Sequence, residues 1–275
     1  PVAPPRGAAA GVRGGLQTEN RLLEEATRHI HAARDGLVAQ GVAARAVAFI
    51  SPDPAADVTR VAEREDVDLV MVDGRRPLLG AGVPRGEVGV VLRDTPCDVA
   101  VVVAKEDQKI EPGPDSSVVV PFGGAEHDWA ALELGSWIAS ATGAPLKLLG
   151  AAGETEETSK VSRLLADAGL LVQQYSGVPA EPVIAEPGGV SVVEAAEKAG
   201  LLVIGLSARW REEGLGPTRS EIARAAPAPI VFVRRGSRPG ALAPSDEFTR
   251  FTWSSAGMVP PGPGKPIVGP TGSNT

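Results

Sequence analysis

The sequence is poor in cysteine and aromatic residues and has no long apolar run, and each scarcity excludes a class of protein. With one cysteine, Cys97, the chain cannot form an internal disulfide, which is typical of a reducing compartment such as the cytoplasm. Because Cys97 opens an apolar strand, we expect it to be a buried thiol. No apolar run reaches the roughly 20 residues that a membrane-spanning helix needs, and no signal-peptide pattern opens the sequence.

Basic residues are also too few for a nucleic-acid partner. The 27 Lys and Arg side chains are outnumbered by 34 Asp and Glu side chains, which gives a net charge of -7. Nucleic-acid phosphates are bound by clustered Lys and Arg, so this balance argues against a nucleic-acid partner. A solvated acidic surface is the plain interpretation of the charge.

Residue patterns typical of metal sites and catalytic centres are missing as well. The sequence contains no GxxxxGK[ST] loop, no HExxH motif, no nucleophile elbow and no paired CxxC. His29 and His31 are two residues apart on a predicted helix and therefore point to different faces. His127 opens another predicted helix, where we expect capping or solvent exposure. We predict no metal and no enzymatic activity.

What the sequence does contain is a degenerate internal repeat. Residues 65–103 and 199–233 run in the same order: an apolar strand, a glycine-rich loop, a helix, a proline turn and a second strand. The spacing of about 130 residues is that of a domain, because solenoid repeats recur every 20–50 residues or so. The chain is therefore interpreted as two copies of one α/β module.

Helices and strands alternate in both copies, which indicates parallel sheets with right-handed crossovers. In the first copy, apolar residues recur at helical spacing from Thr18, and Asp53 followed by Pro54 opens a short helix. The second copy has five predicted strands, the last over the apolar run 229–233. The first copy has three, which are predicted over residues 44–51, 68–73 and 98–103.

This asymmetry predicts how the chain is organised. The β-α-β unit that the first copy lacks is expected before Pro1, as in an excerpt of a longer protein, because a three-stranded remnant leaves an exposed edge. The predicted organisation is a flexible arm at 1–17, a partial module at 18–104, a linker at 105–115, a complete module at 116–236 and a mostly disordered tail at 237–275.

Both copies resemble universal stress protein domains. In that family the penultimate strand leads into a loop of pattern G-x2-G-x9-G-[ST], a helix, the residues A-P-C-P-V and the last strand. Residues 216–233, GPTRSEIARAAPAPIVFV, match this closing segment without a gap, and residues 86–103 match it one residue short.

The resemblance implies an α/β fold of two tandem open parallel sheets flanked by helices, Rossmann-like and of the adenine-nucleotide alpha-hydrolase type. The first sheet would lack its initial β-α-β unit. Because family members commonly dimerise through their last strands, it also implies contact between DVAVVV at residues 98–103 and PIVFV at residues 229–233.

A second resemblance concerns the setting of the chain within a larger protein. Residues 114–152 and 205–236, followed by 242–254, look like the cytosolic C-terminal region of bacterial cation/proton antiporters. In those proteins tandem stress-protein-like domains lie below a membrane transporter. The resemblance implies a soluble domain on the cytoplasmic side of the cell membrane, joined to a transmembrane antiporter domain in the same polypeptide.

The second copy departs from the family pattern at its nucleotide loop. In ATP-binding relatives, loop glycines and the Gly-Ser/Thr pair hold phosphates, beyond the carboxyl ends of the strands. Here Ala208 replaces one glycine and Pro217 replaces the hydroxyl residue. Either a nucleotide site with altered contacts or a purely structural loop fits this pattern. The candidate contacts are Pro121, Phe122, Gly123, Gly205, Ser207, Arg209, Trp210, Gly216, Thr218 and Arg219.

Three of these side chains suit a nucleotide. Arg209 and Arg219 could bind phosphate through their planar guanidinium groups, and Trp210 offers a face on which a base could stack. In the first copy the candidate contacts are Gly74, Arg75 and Gly86. Glu87 stands there in place of the hydroxyl residue and would repel a phosphate, so the alternative is a turn whose glycines satisfy backbone geometry.

These observations predict a non-enzymatic sensor region of a membrane cation/proton antiporter, which binds ATP, AMP or cyclic di-AMP and modulates ion transport. Two alternatives stay open. One is a free-standing cytoplasmic tandem stress protein that binds ATP or AMP, and the other is a dimerisation module without a ligand. The family resemblance implies a homodimer.

Overall fold

A computed structural model describes residues 12–74, 84–153, 155–237 and 240–242. The helices are α1 Val12–Ala39, α2 Pro54–Arg64, α3 Gly86–Asp94, α4 Glu126–Thr142, α5 Thr155–Ser176, α6 Gly189–Ala195, α7 Trp210–Glu213 and α8 Gly216–Ala225. The strands are β1 Leu69–Asp73, β2 Asp98–Val103, β3 Ser117–Pro121, β4 Leu146–Ala151, β5 Ala180–Ala185, β6 Ala199–Gly205 and β7 Ile230–Arg234.

The seven strands form one sheet in the order β1-β2-β7-β6-β3-β4-β5. Every neighbouring pair is parallel except β2 and β7, which run antiparallel. The predicted α/β fold with mostly parallel strands is therefore confirmed. The sequence predicts two separate sheets, whereas the structure joins the strands of both copies into one.

The junction between the copies is the ladder of β2 and β7. Its central pair is Val101 opposite Phe232, and it extends from Val99 opposite Arg234 to Val103 opposite Ile230. The contact between last strands that the family resemblance implies is thus present. Continuous apolar strands of this kind are typical of sheets covered on both faces, because each side chain then meets a packed layer.

Two apolar layers cover the two faces of the sheet. On one face α3, α6 and α8 contribute Leu92, Val192 and Ile222 to a core that includes Phe232. On the other face α4 and α5 contribute residues such as Leu132 and Leu165. Neighbouring residues of each junction strand alternate between the two cores, as the period of a β-strand requires.

Local sequence signals place α2 and α4. The Asp53 carboxylate accepts a hydrogen bond from Ala56 N at 3.1 Å and caps α2, as predicted, while Pro54 occupies its first turn. Helix α4 lies close against β3 because Gly135 has no side chain. A Cβ at that position would come within 2.8 Å of Val120 Cγ2. This close packing fixes the N-terminus of α4 beside the end of β3.

Cations reach the carboxyl ends of helices across the junction. Arg234 Nη2 donates to Thr95 O, after α3, at 2.6 Å. Lys105 Nζ and Gln108 Nε2 donate to Ala226 O, after α8, at 3.1 and 3.2 Å. The carbonyl groups at a helix C-terminus carry partial negative charge, so both contacts are favourable. The second copy therefore stabilises a helix end of the first, and the predicted linker stabilises a helix end of the second.

Two sequence predictions are corrected by the fold. Helix α1 begins at Val12 and not at Thr18. Residues 42–49 form no strand, and Ile50 makes only an isolated bridge, although a strand was predicted over 44–51. In the second copy the strand at this position, β5, pairs only with β4. The described part of the first copy contains no counterpart of β4, so the segment has no ladder partner.

Four residues of the predicted tail, 237 and 240–242, are described and contact the rest of the protein. The Glu133 carboxylate accepts hydrogen bonds from Ala241 N at 3.1 Å and Leu242 N at 3.3 Å, and Leu242 is buried in the core beside α4. Ser237 N donates to Pro96 O at 2.8 Å. Residues 238–239 and 243–275 of the predicted tail and residues 1–11 of the predicted arm lie outside the described residues.

Two further sequence expectations concern the thiol and the membrane. Cys97 is buried and forms no disulfide, as predicted. None of the described helices combines the length and the apolarity that crossing a bilayer requires. The predicted boundaries between partial module, linker and complete module stay a prediction.

A core substitution at the junction tests whether both copies unfold together. Phe232 is fully buried opposite Val101, so Phe232→Ala should lower the free energy of unfolding by about 3–5 kcal/mol. Denaturant unfolding followed by tryptophan fluorescence and by circular dichroism should give one coincident transition. The control Val47→Ala, at a side chain 67% exposed, should change stability by less than about 0.5 kcal/mol. Two separate transitions would contradict the joined sheet.

Candidate functional site

The candidate site is a cavity at the point where the strand order reverses. The chain runs outward from β3 to β4 and β5, then returns to the other side of β3 with β6 and β7. A cavity of about 530 Å³ lies beyond the carboxyl ends of β3 to β6. We call it the switch-point cavity. Its volume lies in the range of small-molecule sites, about 300–1,000 Å³.

The wall of the cavity is apolar and its rim is polar. The apolar wall comes from strand ends and from the helices α5, α6 and α8, and includes Leu149, Val161, Leu164, Val192, Ile204 and Ile222. Polar side chains around it are Asp128, Glu157, Glu186, Ser191, Thr218 and Arg219. A flat apolar group with attached hydroxyl groups suits such a lining.

Asp128 organises the loop between β3 and α4. Its Oδ2 accepts hydrogen bonds from Gly123 N at 2.9 Å and Ala125 N at 3.2 Å, and the side chain is nearly buried. Phe122 and Gly123, two of the predicted contacts, lie in this loop. Asp128 supplies the loop with a carboxylate from the first turn of α4, where a negative charge is favourable.

Arg219 and His127 form the second polar group of the site. Arg219 Nε donates to Gly205 O at 2.8 Å, and Arg219 Nη2 lies 3.0 Å from His127 Nε2. A guanidinium can only donate, so the neutral ring accepts through Nε2 and carries its proton on Nδ1. Asp128 Oδ1 lies 3.4 Å from the same Nε2.

Burial shifts the pKa of both partners of this contact. Burial lowers the pKa of His127, the Arg219 charge lowers it further, and Asp128 opposes the shift. Burial also lowers the pKa of Arg219, against the attraction of Asp128 and Glu213. The neutral imidazole is therefore favoured in the folded protein, and the guanidinium remains the one charged member of this pair at neutral pH.

Carboxylates outnumber cations around the switch-point cavity. Among the described residues that line it, Asp128, Glu157 and Glu186 are acidic and Arg219 alone is basic. One Glu157 oxygen accepts from Gly153 N at 3.1 Å. The cavity therefore suits hydrogen-bond donors such as hydroxyl groups better than a cluster of phosphates, because like charges repel at short range.

The structure separates the predicted contacts of the second copy into two groups. Five of them line the switch-point cavity: Pro121, Phe122, Gly123, Thr218 and Arg219. Gly205 ends β6 and meets the α4 N-terminus, since a Cβ there would lie 2.4 Å from His127 O. Gly216 begins α8 with a left-handed backbone, φ 74°, that favours glycine. These two glycines serve backbone geometry.

The other three predicted contacts lie outside this cavity. Trp210 is only 4% exposed and packs in the apolar core, with the Arg211 guanidinium 5.7 Å from its ring centre, so it offers no free stacking face to the cavity. Arg209 is exposed and pairs with Glu213 at 3.2 Å. The Ser207 hydroxyl accepts from Arg209 N at 3.3 Å within a turn.

The contacts predicted in the first copy are only partly described. Gly74 N donates to Val102 O at 2.8 Å, as Leu206 N donates to Val233 O at 2.7 Å. In register Gly74 therefore corresponds to Leu206 and not to Gly205. Gly86 opens α3 with φ 65°, like Gly216 at the start of α8. Arg75, with the rest of residues 75–83, lies outside the described residues.

Four polar groups of the site were missed by the sequence analysis. The place of Asp128 at the start of a helix could have been predicted, because an acidic residue three positions after a helix-capping position is typical of a helix start. Glu157, Glu186 and Ser191 carry none, since they lie on separate loops and helices that only the sheet register brings together. Within the described part of the chain, no group of three or more His, Cys, Asp or Glu is arranged to hold a metal.

Comparison with known proteins supports the fold. Neither the known protein families nor the curated proteins contain a match. The chain is similar in structure to a universal stress protein from Archaeoglobus fulgidus DSM 4304, with a TM-score of 0.59 and 15% identity over 83% of this chain and 84% of that one. The similarity shows that this chain has the fold of a universal stress protein.

Two shorter structures resemble part of the chain. Another universal stress protein from Archaeoglobus fulgidus is 17% identical over 43% of this chain and 93% of its own, with a TM-score of 0.38. A universal stress protein crystallised in complex with cAMP is 24% identical over 44% of this chain and 98% of its own, with a TM-score of 0.37.

The buried His127 predicts a loss of stability in acid. The pKa of His127 in the folded protein lies below the usual 6.5. The contribution of the neutral imidazole to the free energy of unfolding is therefore fully present above pH 6.5 and is lost as the pH falls through the folded-state pKa. The free energy of unfolding of the wild type should fall over this range, and that of His127→Gln should fall less, because glutamine keeps an acceptor for Arg219 and does not titrate. Equal pH dependence in both proteins would contradict this assignment.

Proposed function

We propose that this chain binds an adenine nucleoside or nucleoside monophosphate in the switch-point cavity, without transforming it. The observation that carries the proposal is the lining of this cavity, which combines an apolar wall with a rim of three carboxylates and one guanidinium. The adenine class follows from the resemblance to universal stress proteins. The restriction to few phosphates follows from the charges of the site.

The apolar wall supports binding of the base. Leu149, Ile204 and Ile222 line the cavity between the sheet and its helices, and Phe122 lies at its edge in a T-shaped contact with Trp129, 4.9 Å between ring centres. Such a surface stabilises a flat aromatic ring by removing apolar area from water. Specific contacts to the base would come from backbone groups at the strand ends.

The acidic rim supports binding of the ribose. Carboxylates accept hydrogen bonds from ribose hydroxyl groups in many nucleotide sites, and Glu186 lies on the rim after β5. Arg219 and Thr218, at the start of α8, could contact one phosphate. A sugar with one phosphate would therefore match the donors and acceptors of the rim.

The same rim disfavours a triphosphate. Asp128 already accepts from the N–H groups of Gly123 and Ala125, which a phosphate would otherwise use. Pro217 in the first turn of α8 has no N–H group to donate. Three carboxylates would face a triphosphate with one guanidinium to offset them. ATP is thus expected to bind more weakly than AMP.

A binding role without catalysis follows from the occupied groups of the site. A general base needs a free lone pair close to the ligand. The Nε2 of His127 accepts from Arg219, and Oδ2 of Asp128 accepts two backbone hydrogen bonds. The ring of His127 and one carboxylate oxygen of Asp128 are therefore engaged in holding the site together.

Titration with matched nucleotides tests this proposal. Adenosine and AMP should raise the melting temperature with increasing concentration and give saturating heats in calorimetry. ATP and cyclic di-AMP should bind at least about tenfold more weakly because of charge repulsion. Guanosine is the control ligand for the base. ATP binding more tightly than AMP, or no binding of any adenine ligand, would contradict the proposal.

A blocking variant locates the site. Ser191 lines the cavity from α6, so Ser191→Phe should fill it and abolish the binding of AMP. Ser162→Phe, on an exposed position of α5, introduces the same ring outside the cavity and should leave AMP binding unchanged. Full AMP binding by Ser191→Phe would place the site elsewhere.

For the output of binding, we propose regulation of a cation/proton antiporter to which this region is attached. The support is the sequence resemblance to the cytosolic region of such transporters. In membrane vesicles from the native host, AMP should change the rate of cation/proton exchange, and Ser191→Phe should remove this response. If AMP binds and exchange is insensitive to it, the free-standing alternative is favoured. Homodimer formation stays a prediction under both alternatives.

A further inference from the structure

A second cavity lies at the junction of the two copies. It has a volume of about 480 Å³ and is bounded by the end of α3, the start of α4, the start of α7 and the end of β7. We call it the junction cleft. It exists because the antiparallel β2–β7 ladder brings the start of β2 beside the end of β7. Its walls therefore come from both copies.

The charge of the junction cleft is opposite to that of the switch-point cavity. Arg93, Arg211, Arg234 and Arg235 line it together with Asp94 and Glu126. Four guanidinium groups thus face two carboxylates. The protein as a whole has a net charge of -7, so a cluster of this sign is a local feature and not a consequence of composition.

Among the described residues that line the cleft, two of the four guanidinium groups have a carboxylate partner. Arg93 pairs with Asp94 at 2.7 Å, and Arg235 pairs with Glu126 at 2.5 Å. Arg211 Nη2 donates to Arg93 O at 3.2 Å, and Arg234 donates to Thr95 O. A backbone carbonyl satisfies a donor but does not neutralise a charge. Two positive charges are therefore left over among the side chains that line the cleft.

A carboxylate below the cleft is engaged elsewhere. Asp98 Oδ1 accepts from Gly236 N at 2.6 Å, and burial raises the pKa of Asp98 against the attraction of Arg234 and Arg235. It moderates the positive potential and does not occupy the cleft. His127 also borders the cleft, and its neutral form adds no charge.

Unused donors point to a missing acceptor. Among the residues that the structure describes, no acceptor reaches Arg234 Nε or Arg235 Nη2, although both atoms are buried. Buried donors are almost always paired in folded proteins, and an unpaired one calls for an explanation such as a bound ion. Both side chains line the cleft, so the two unpaired groups belong to residues of its wall.

We propose that the junction cleft binds a phosphate group, either inorganic phosphate or the terminal phosphate of a phosphomonoester. Guanidinium groups match phosphate oxygens through their planar fork of donors, and the charge-assisted hydrogen bonds are strong. Arg93 belongs to the first copy and Arg211, Arg234 and Arg235 belong to the second. The bound phosphate therefore bridges the two copies and stabilises their junction.

Titration with inorganic phosphate at constant ionic strength, against matched sodium chloride, tests this proposal. Calorimetry should show saturable binding, and the double variant Arg93→Ala/Arg211→Ala should raise Kd by about tenfold or more. Both side chains are exposed, so the fold should be retained. The matched control Arg209→Ala/Arg224→Ala removes two exposed arginines outside the cleft and should leave Kd unchanged.

Further measurements identify the source of the phosphate and distinguish the junction cleft from the switch-point cavity. Tighter binding of phenyl phosphate than of inorganic phosphate would assign the cleft to a phosphomonoester, and the reverse would assign it to the free ion. Ser191→Phe, which blocks the switch-point cavity, should leave phosphate binding unchanged. Absence of phosphate binding at millimolar concentration, or equal Kd in the wild type and Arg93→Ala/Arg211→Ala, would overturn the proposal.

Discussion

The antiparallel ladder of β2 and β7 is the interaction on which the rest of this structure depends. It joins strands from two homologous-looking segments into one sheet of seven, with Val101 and Phe232 fully buried at its centre. Its direction brings the start of β2 beside the end of β7. Arg234 can therefore reach Thr95, and Gly236 N can reach Asp98. A parallel pairing would bring neither contact about.

The start of α4 divides two cavities of opposite charge. Asp128 faces the switch-point cavity, whereas Glu126 faces the junction cleft. His127 lies between them and accepts a hydrogen bond from Arg219, which itself holds the end of β6. One turn of helix thus supplies polar groups to both cavities. This arrangement favours a nucleoside on the acidic side, because carboxylates accept hydrogen bonds from ribose hydroxyl groups. It favours a phosphate on the basic side, because guanidinium groups attract negative charge.

Sequence patterns predict the strands of this fold well where a ladder partner exists. The apolar runs at 98–103 and 229–233 form the buried strands β2 and β7. The equally apolar segment 44–51 forms no strand, because periodicity reports side-chain burial and not the presence of a neighbour. The register of a strand and the identity of its neighbouring strand depend on residues far away in the sequence. A local window of sequence therefore cannot predict them.

The candidate site is harder to predict than the fold for a similar reason. Phe122, Thr218 and Arg219 were found because they sit at positions of a known motif. Glu157 and Glu186 were missed, since their proximity arises only when β4 and β5 lie beside β3. Trp210, predicted as a face on which a base could stack, is buried in the apolar core, which a local window of sequence does not reveal.

Hydrogen exchange of the backbone amides in the junction tests the central claim most directly. If one cooperative sheet contains both copies, the paired amides of β2 and β7 should be among the slowest to exchange and should do so at a common rate, set by global unfolding. Fast exchange in β2 alongside slow exchange in β7 would show that the first copy opens independently. The account of a sheet held together by this ladder would then be wrong.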